Sequence, residues 1–249
     1  MKHFRYAHRG LHDLSRDIPE NSLPAFRRAI EYGFGAELDV HLLSDKSLAV
    51  FHDSALERMT GREGVIEDLT AAQLEEYTLG GTNETIPQLF EVLELFDAAK
   101  LPLVVELKTR GGNHEALTAR TVEELDRFRV PYVIESFDPR CLLWLRKNRP
   151  EIIRGQLAQD FLAPGASAGM GRAADRALTR MAFNRSTRPD FVAYRFEDRN
   201  TPAMRLVRRL HSAEVFYWTI RTQEDLELAE EEGAQAIFEG FIPRQAEHH

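Results

Sequence analysis

The stretch Leu101-Pro102-Leu103-Val104-Val105-Glu106-Leu107-Lys108 is apolar almost without interruption up to its polar end. A strand with one face in water alternates apolar and polar residues. A continuous run instead predicts a strand buried on both faces, as in a parallel sheet covered by helices. Such sheets are built from repeated strand and helix units, and the rest of the chain keeps that rhythm. Phe4–His8, Phe34–Val40, Tyr132–Phe137, Ile152–Leu157, Phe191–Tyr194, Val215–Ile220 and Ala236–Phe238 also read as strands. Leu48–His52 reads as a hairpin extension of the second. Helical signals run from Ser22 to near Gly33 and over Leu89–Ala99, Ala116–Phe128, Pro139–Lys147, Pro202–His211 and Glu224–Glu232. A short helix is expected over Ala71–Tyr77 in an otherwise irregular region, and another between Leu157 and Asn184.

Eight main strands, each followed by a helix or helical loop, in 249 residues predict an α/β fold, a (β/α)8 TIM barrel. The competing layout is a doubly wound open sheet, which usually carries a Gly-rich phosphate loop after its first strand. His8-Arg9-Gly10 is no such loop. No linker or low-complexity tract divides the chain, so residues 1–246 are expected to form one domain. Glu247-His248-His249 reads as a tag remnant.

A net charge of −8 argues against a nucleic-acid or anionic-membrane partner, since both select a basic surface. The lone cysteine, Cys141, cannot form an internal disulfide and suits a reducing, cytoplasmic setting. The amino terminus lacks the apolar core of a signal peptide, and no run approaches a membrane span.

The polar residues of the strands point to chemistry. Glu37 and Asp39 are two apart, so on a strand both carboxylates leave the same face. A hard cation with oxygen ligands, Ca²⁺ or Mg²⁺, is the simplest partner for them. In a barrel the catalytic face is at the strand C-terminal ends. There the chain places His8 and Arg9, Glu37 and Asp39, His52, Glu106 and Lys108, and Trp218. Plainer readings exist for each. His8 could cap a strand, Glu37 and Asp39 could line an edge strand, and Glu106 with Lys108 could be a surface ion pair of little worth. His52-Asp53 could be a turn, and Trp218 could be packing. The otherwise apolar strand around Glu106 argues for a real partner there. Carboxylates suit Ca²⁺ or Mg²⁺ better than zinc. A cation beside Arg9 and Lys108 calls for an anionic ligand, most naturally a phosphate ester, with histidines for proton transfer.

As an ordered set, His8-Arg9-Gly10, Pro19-Glu20-Asn21-Ser22-Leu23-Pro24-Ala25-Phe26, Glu37-Leu38-Asp39-Val40, Phe51-His52-Asp53 with Leu56, Arg58 and Thr60, Ile86-Pro87 and Val105-Glu106-Leu107-Lys108 resemble the glycerophosphodiester phosphodiesterases. Ser136-Phe137-Asp138 and Trp218-Thr219-Ile220 also look like family positions. The resemblance covers nearly the whole chain. It implies a TIM barrel with a small insertion after strand two, here about residues 43–86. It implies one divalent cation (Mg²⁺ or Ca²⁺, with Mn²⁺ possible) on Glu37, Asp39 and Glu106, and His8 and His52 as the acid–base pair. Arg9 and Lys108 would contact the phosphate, Trp218 the substrate, and Glu20 and Asn21 would orient this shell.

The reaction so implied is hydrolysis of glycerophosphodiesters to sn-glycerol 3-phosphate and an alcohol. One histidine, His8 on this reading, helps a glycerol hydroxyl attack phosphorus while His52 protonates the leaving alcohol, and water then opens the cyclic phosphate. The alternative is a lysophospholipase D-type reaction on lysophospholipids, with an acyl groove from Phe161, Leu162 and Phe241. A third, non-catalytic reading would expect a lost histidine or carboxylate. Two stretches depart from the family pattern. Leu43-Ser44-Asp45-Lys46 stands where a threonine and an Asp-Gly turn are common, which would put Lys46 in a left-handed conformation. Phe238-Glu239-Gly240-Phe241 stands where Thr-Asp-x-Pro is frequent. Arg172, Arg176, Arg180, Arg185 and Arg188 read as a solvated helix face or as a lid for anionic substrates.

Overall fold

A computed structural model of the protein describes residues 4–167, 171–210 and 213–244. The expected tag remnant at 247–249 and the end of the helix at His211 lie outside the described residues. Among the described residues nine strands form: β1 (Tyr6–Ala7), β2 (Gly35–Leu42), β3 (Leu48–Val50), β4 (Leu103–Leu107), β5 (Tyr132–Ser136), β6 (Arg154–Ala158), β7 (Phe191–Arg195), β8 (Glu214–Ile220) and β9 (Gln235–Phe238). The helices are α1 (Leu23–Glu31), α2 (Glu57–Thr60), α3 (Leu89–Ala99), α4 (His114–Leu125), α5 (Pro139–Asn148), α6 (Arg172–Thr179), α7 (Asn184–Thr187), α8 (Pro202–Leu210) and α9 (Gln223–Glu231).

Every strand except β3 pairs in parallel with its neighbours, and β1 joins both β2 and β9, which closes the sheet. The closed ring has eight strands, so the fold is the (β/α)8 barrel. The remaining strand, β3, runs antiparallel on β2. Its turn places Lys46 at φ 71°, the left-handed conformation expected where a glycine is more usual.

Two apolar layers follow from strand parity. Alternate residues of the barrel strands face outward and pack with the helices: Leu38, Val40, Val105 and Ile134 lie in one cluster with Phe26, Leu93, Phe96 and Leu142. The inward set, Tyr6, Val104, Val133, Leu157, Phe191, Ala193, Phe216 and Ile237, fills the barrel. Two residues further along each strand the same inward face resumes. From Tyr6, Val104, Val133, Phe216 and Ile237 that step reaches His8, Glu106, Glu135, Trp218 and Glu239. The apolar plug thus ends where the polar floor of the catalytic face begins.

Between β2 and β4 the chain builds a separate small core from Leu43, Ala49, Phe51, Leu56, Met59, Ile66, Leu69, Leu74, Tyr77, Leu79 and Ile86. The helix expected at Ala71–Tyr77 is a 3₁₀ helix over Ala71–Glu76. The segment before β7 holds two helices, α6 and α7. The first strand is shorter than its sequence suggests, because the chain turns sharply just after it.

Candidate active site

That turn is Arg9-Gly10, with both residues at positive φ (54° and 78°). Gly10 is required there: a side-chain carbon would lie 2.8 Å from the carbonyl carbon and Cβ of Ala25. Arg9 has no such excuse, and its left-handed conformation costs on the order of 1 kcal/mol, the kind of local strain that gathers at functional sites. The conformation aims the Arg9 N–H at Glu37 Oε2 (3.0 Å) and the guanidinium at Glu20 Oε1 (2.9 Å) and toward Asp39 Oδ2 (3.5 Å). Asn21 is also left-handed (φ 53°), which asparagine tolerates, and donates to Asp39 Oδ2 at 2.8 Å. Ser22 then caps α1, its Oγ accepting from the Ala25 N–H. The start of α1 therefore presents Glu20 and Asn21 to the site.

Register brings the carboxylates together. Asp39 pairs with Glu106, and Glu106 with Glu135, across β2, β4 and β5. All three are buried, as is Glu37. Lys108 Nζ lies 2.9 Å from Asp39 Oδ1 and 2.7 Å from Glu106 Oε1. Asp39 is therefore held far below the usual carboxylate range: burial works against this, but Lys108, His52 and Arg9 and the Asn21 hydrogen bond outweigh it. Glu37 and Glu135 go the other way, pushed well up by burial and then by neighbouring carboxylates. Burial raises Glu106 as well.

Three of these carboxylates carry buried oxygens with no hydrogen-bond partner, Glu37 Oε1, Asp39 Oδ1 and Glu135 Oε2, the Asp39 oxygen standing 2.9 Å from Lys108 Nζ. One carboxylate oxygen from each of Glu37, Glu106 and Glu135 lies within 4.8 Å of the others. An unpaired buried carboxylate oxygen is costly, and an all-oxygen donor set of this kind fits Mg²⁺ or Ca²⁺. The site residues thus fit a divalent cation.

Both histidines are set with one nitrogen on a carboxylate. His8 Nδ1 lies 2.5 Å from Glu239 Oε2, and its Nε2 lies 3.9 Å from Glu37 Oε2. His52 Nδ1 lies 2.6 Å from Asp53 Oδ1. In each case the paired carboxylate favours a proton on Nδ1 and leaves Nε2 for chemistry. Burial lowers His8 below the usual imidazole value, with Glu239 opposing, and lowers His52 to about 4, with Lys108 and Arg9 contributing. Glu239 is held at about 2, chiefly by its bond to His8.

A run of ion pairs connects the two halves. Asp53 accepts from Arg58 Nε, Arg58 grips both oxygens of Glu20 (2.6 and 3.0 Å), and Glu20 holds Arg9. His41, buried in β2, lies 2.9 Å from Glu67 Oε1 and 3.2 Å from the His52 carbonyl oxygen, so the second core is tied to the His52 backbone.

The structure therefore gathers His8, Arg9, Glu20, Asn21, Glu37, Asp39, Glu106 and Lys108 into one contact network, with His52 joined through Asp53 and Arg58. Trp218 stands on the same inward face, edge-to-face with Phe137 at 5.8 Å, and Phe137 meets Phe161 in the same way. Phe241 instead packs on Phe238, whose ring belongs to the outer core.

Two residues escaped the reading of strand ends. Glu239 was a departure from a pattern, and it is the partner of His8. Glu135 follows Val133-Ile134 just as Glu106 follows Val104-Val105.

The sequence pattern of the Glycerophosphoryl diester phosphodiesterase family matches residues 8–242. A glycerophosphodiester phosphodiesterase from Caldanaerobacter subterraneus subsp. tengcongensis is 28% identical over 246 residues, 95% of this chain and 93% of that protein. One from Bacillus altitudinis is 32% identical over 168 residues, 63% of this chain and 67% of the relative. Among solved structures, an Oleispira antarctica phosphodiesterase in complex with the product sn-glycerol-3-phosphate superposes with a TM-score of 0.78 at 25% identity, covering 95% of this chain and 92% of the other. A barrel with this ordered set of strand-end residues, matched from end to end, belongs to the glycerophosphoryl diester phosphodiesterase family and is a phosphoric diester hydrolase.

Proposed function

We propose that the enzyme hydrolyses small glycerophosphodiesters to sn-glycerol 3-phosphate and an alcohol, by acid–base catalysis between His8 and His52 beside one divalent cation. The observation that carries this reading is the pair of carboxylate-oriented imidazoles set around a buried carboxylate cluster. Glu37, Asp39 and Glu106 would hold Mg²⁺, Ca²⁺ or Mn²⁺, and when bound the ion would withdraw charge from the phosphate oxygens.

Arg9 and Lys108 meet the phosphodiester anion with fixed positive charge. His8 Nε2 takes the proton of a glycerol hydroxyl as that oxygen bonds to phosphorus, and His52 Nε2 gives a proton to the departing alcohol oxygen. Burial, then Lys108 and Arg9, depress His52, and an arriving anion opposes the part that the two cations contribute. Water then opens the cyclic phosphate with the histidine roles reversed. Trp218 and Phe137 form an aromatic wall on the same face.

The test is release of glycerol 3-phosphate from glycerophosphocholine or glycerophosphoethanolamine. EDTA and His52→Ala are each expected to abolish it, and Mg²⁺, Ca²⁺ or Mn²⁺ to restore the stripped enzyme. Full turnover in EDTA, or in His52→Ala, overturns the reading.

One observation favours a second substrate: Leu162 is exposed next to the Phe161, Phe137 and Trp218 rings, a surface an acyl chain could follow. Turnover of a lysophospholipid against its deacylated counterpart decides between them. No helix among the described residues is long and apolar enough to cross a membrane. The free, buried Cys141 is consistent with a reducing, cytoplasmic setting, and the net charge of −8 speaks against a nucleic-acid partner.

A further inference from the structure

Glu135 has no part in the reaction as described so far. It lies on β5 beside Glu106, on the inward face set by the apolar plug residue Val133 two positions earlier. It is 2% exposed, and its Oε2 has no hydrogen-bond partner. Among the described residues no side-chain cation is paired with it, whereas Asp39 is served by Lys108, Asn21 and Arg9, and Glu106 by Lys108.

Charge makes the point independently. Four buried carboxylates, Glu37, Asp39, Glu106 and Glu135, face two fixed cations, Arg9 and Lys108. The carboxylates outnumber the cations, and a divalent ion would offset the excess. Unpaired buried oxygens sit on Glu37, Asp39 and Glu135, and Glu37 and Glu135 with Glu106 are the carboxylates whose oxygens converge within 4.8 Å.

We propose that Glu135 is a direct ligand of the divalent cation, sharing it with the carboxylates of the proposed site, Glu37 and Glu106 nearest to it. This rests on the cation site of the proposed function. It adds to that site a carboxylate from the next barrel strand. Glutamine at this position keeps the volume and one carbonyl oxygen but removes the charge.

Metal affinity, measured without substrate, tests it. Calcium and magnesium are titrated calorimetrically into metal-stripped wild type, Glu135→Gln and Glu37→Gln, with circular dichroism to show that each is folded. The expected result is a loss of affinity for the ion in Glu135→Gln of on the order of tenfold or more, comparable to that in Glu37→Gln. Wild-type affinity in Glu135→Gln alongside a weakened Glu37→Gln overturns the role of Glu135 and leaves the cation site standing. Absence of binding to the wild type overturns both. Should Glu135→Gln not fold, Glu135→Met leaves no unpaired polar atom and gives the same comparison.

Discussion

His8 Nδ1 and Glu239 Oε2 lie 2.5 Å apart across the seam where the barrel closes, with the His8 N–H also donating to the Phe238 carbonyl at 2.8 Å. The carboxylate fixes which imidazole nitrogen carries the proton and turns Nε2 toward the carboxylate cluster. Glu239 also favours the charged form of His8, against the larger effect of burial. Glu239→Gln removes that support, so the pKa of His8 falls further. If His8 is the base, the acid limb of kcat/KM moves to lower pH, with kcat reduced roughly 10- to 100-fold through loss of orientation. A pH–rate profile of the variant checks this, and an unmoved limb would show that His8 is not the titrating base.

The division of labour between the histidines can be separated by the leaving group. An alcohol needs a proton from His52, whereas p-nitrophenolate departs without one. His52→Ala should cost about 10²–10⁴-fold with an alkyl diester and far less with the p-nitrophenyl ester of glycerol phosphate. His8→Ala should suppress both. The reverse pattern would exchange the roles.

Stability should carry the signature of His52. Its folded pKa of about 4 lies below the ordinary value near 6.5, so between these values the unfolded chain binds more protons. Stability therefore falls as pH drops through that window and is fully present above it. Linkage over that gap is worth up to about 3 kcal/mol, reduced to about 2 by the partial exposure of the imidazole. Thermal melts of metal-free protein from pH 7.5 to 4.5 should show a shallower acid-side decline in His52→Ala than in wild type. The comparison cancels the opposing contribution of the raised glutamates.

Inside the plug, Gly155 on β6 leaves space for the ring of Phe191. A side-chain carbon there would stand 2.1 Å from that ring, which itself packs on Phe216 at 4.5 Å. Gly155→Ala is expected to destabilise by about 2 kcal/mol, lowering Tm by roughly 4–8 °C at this chain length. Calorimetry measures it, and an unchanged Tm would mean that Phe191 moves aside freely.

Much of this architecture is legible because strands buried on both faces must be apolar, so a charge within one stands out. Glu37, Asp39 and Glu106 were visible for that reason. The pairing of His8 with Glu239 was not, since the residues are 231 positions apart and meet only once the ring of strands closes. Glu135 shows the other limit. A carboxylate in a strand is plain in the sequence, but whether it faces the barrel interior depends on register against both neighbours. The ion pairs from Asp53 through Arg58 to Glu20 join an insertion to a helix start, and local sequence patterns carry no information on such a contact.

The separate core between β2 and β4 has a consequence for how long the enzyme stays competent. His52, Asp53 and Arg58 belong to the segment that Phe51, Leu56, Met59 and Ile66 fasten down, whereas His8, Glu37 and Glu106 ride on the barrel. Small cooperative units open at lower free energy than the global fold. Such an opening would carry away one histidine and leave every strand of the ring in place. Backbone amides of residues 51–66 would then exchange with deuterium sooner than those of β4 and β5. On this expectation the catalyst loses His52 before it loses its barrel.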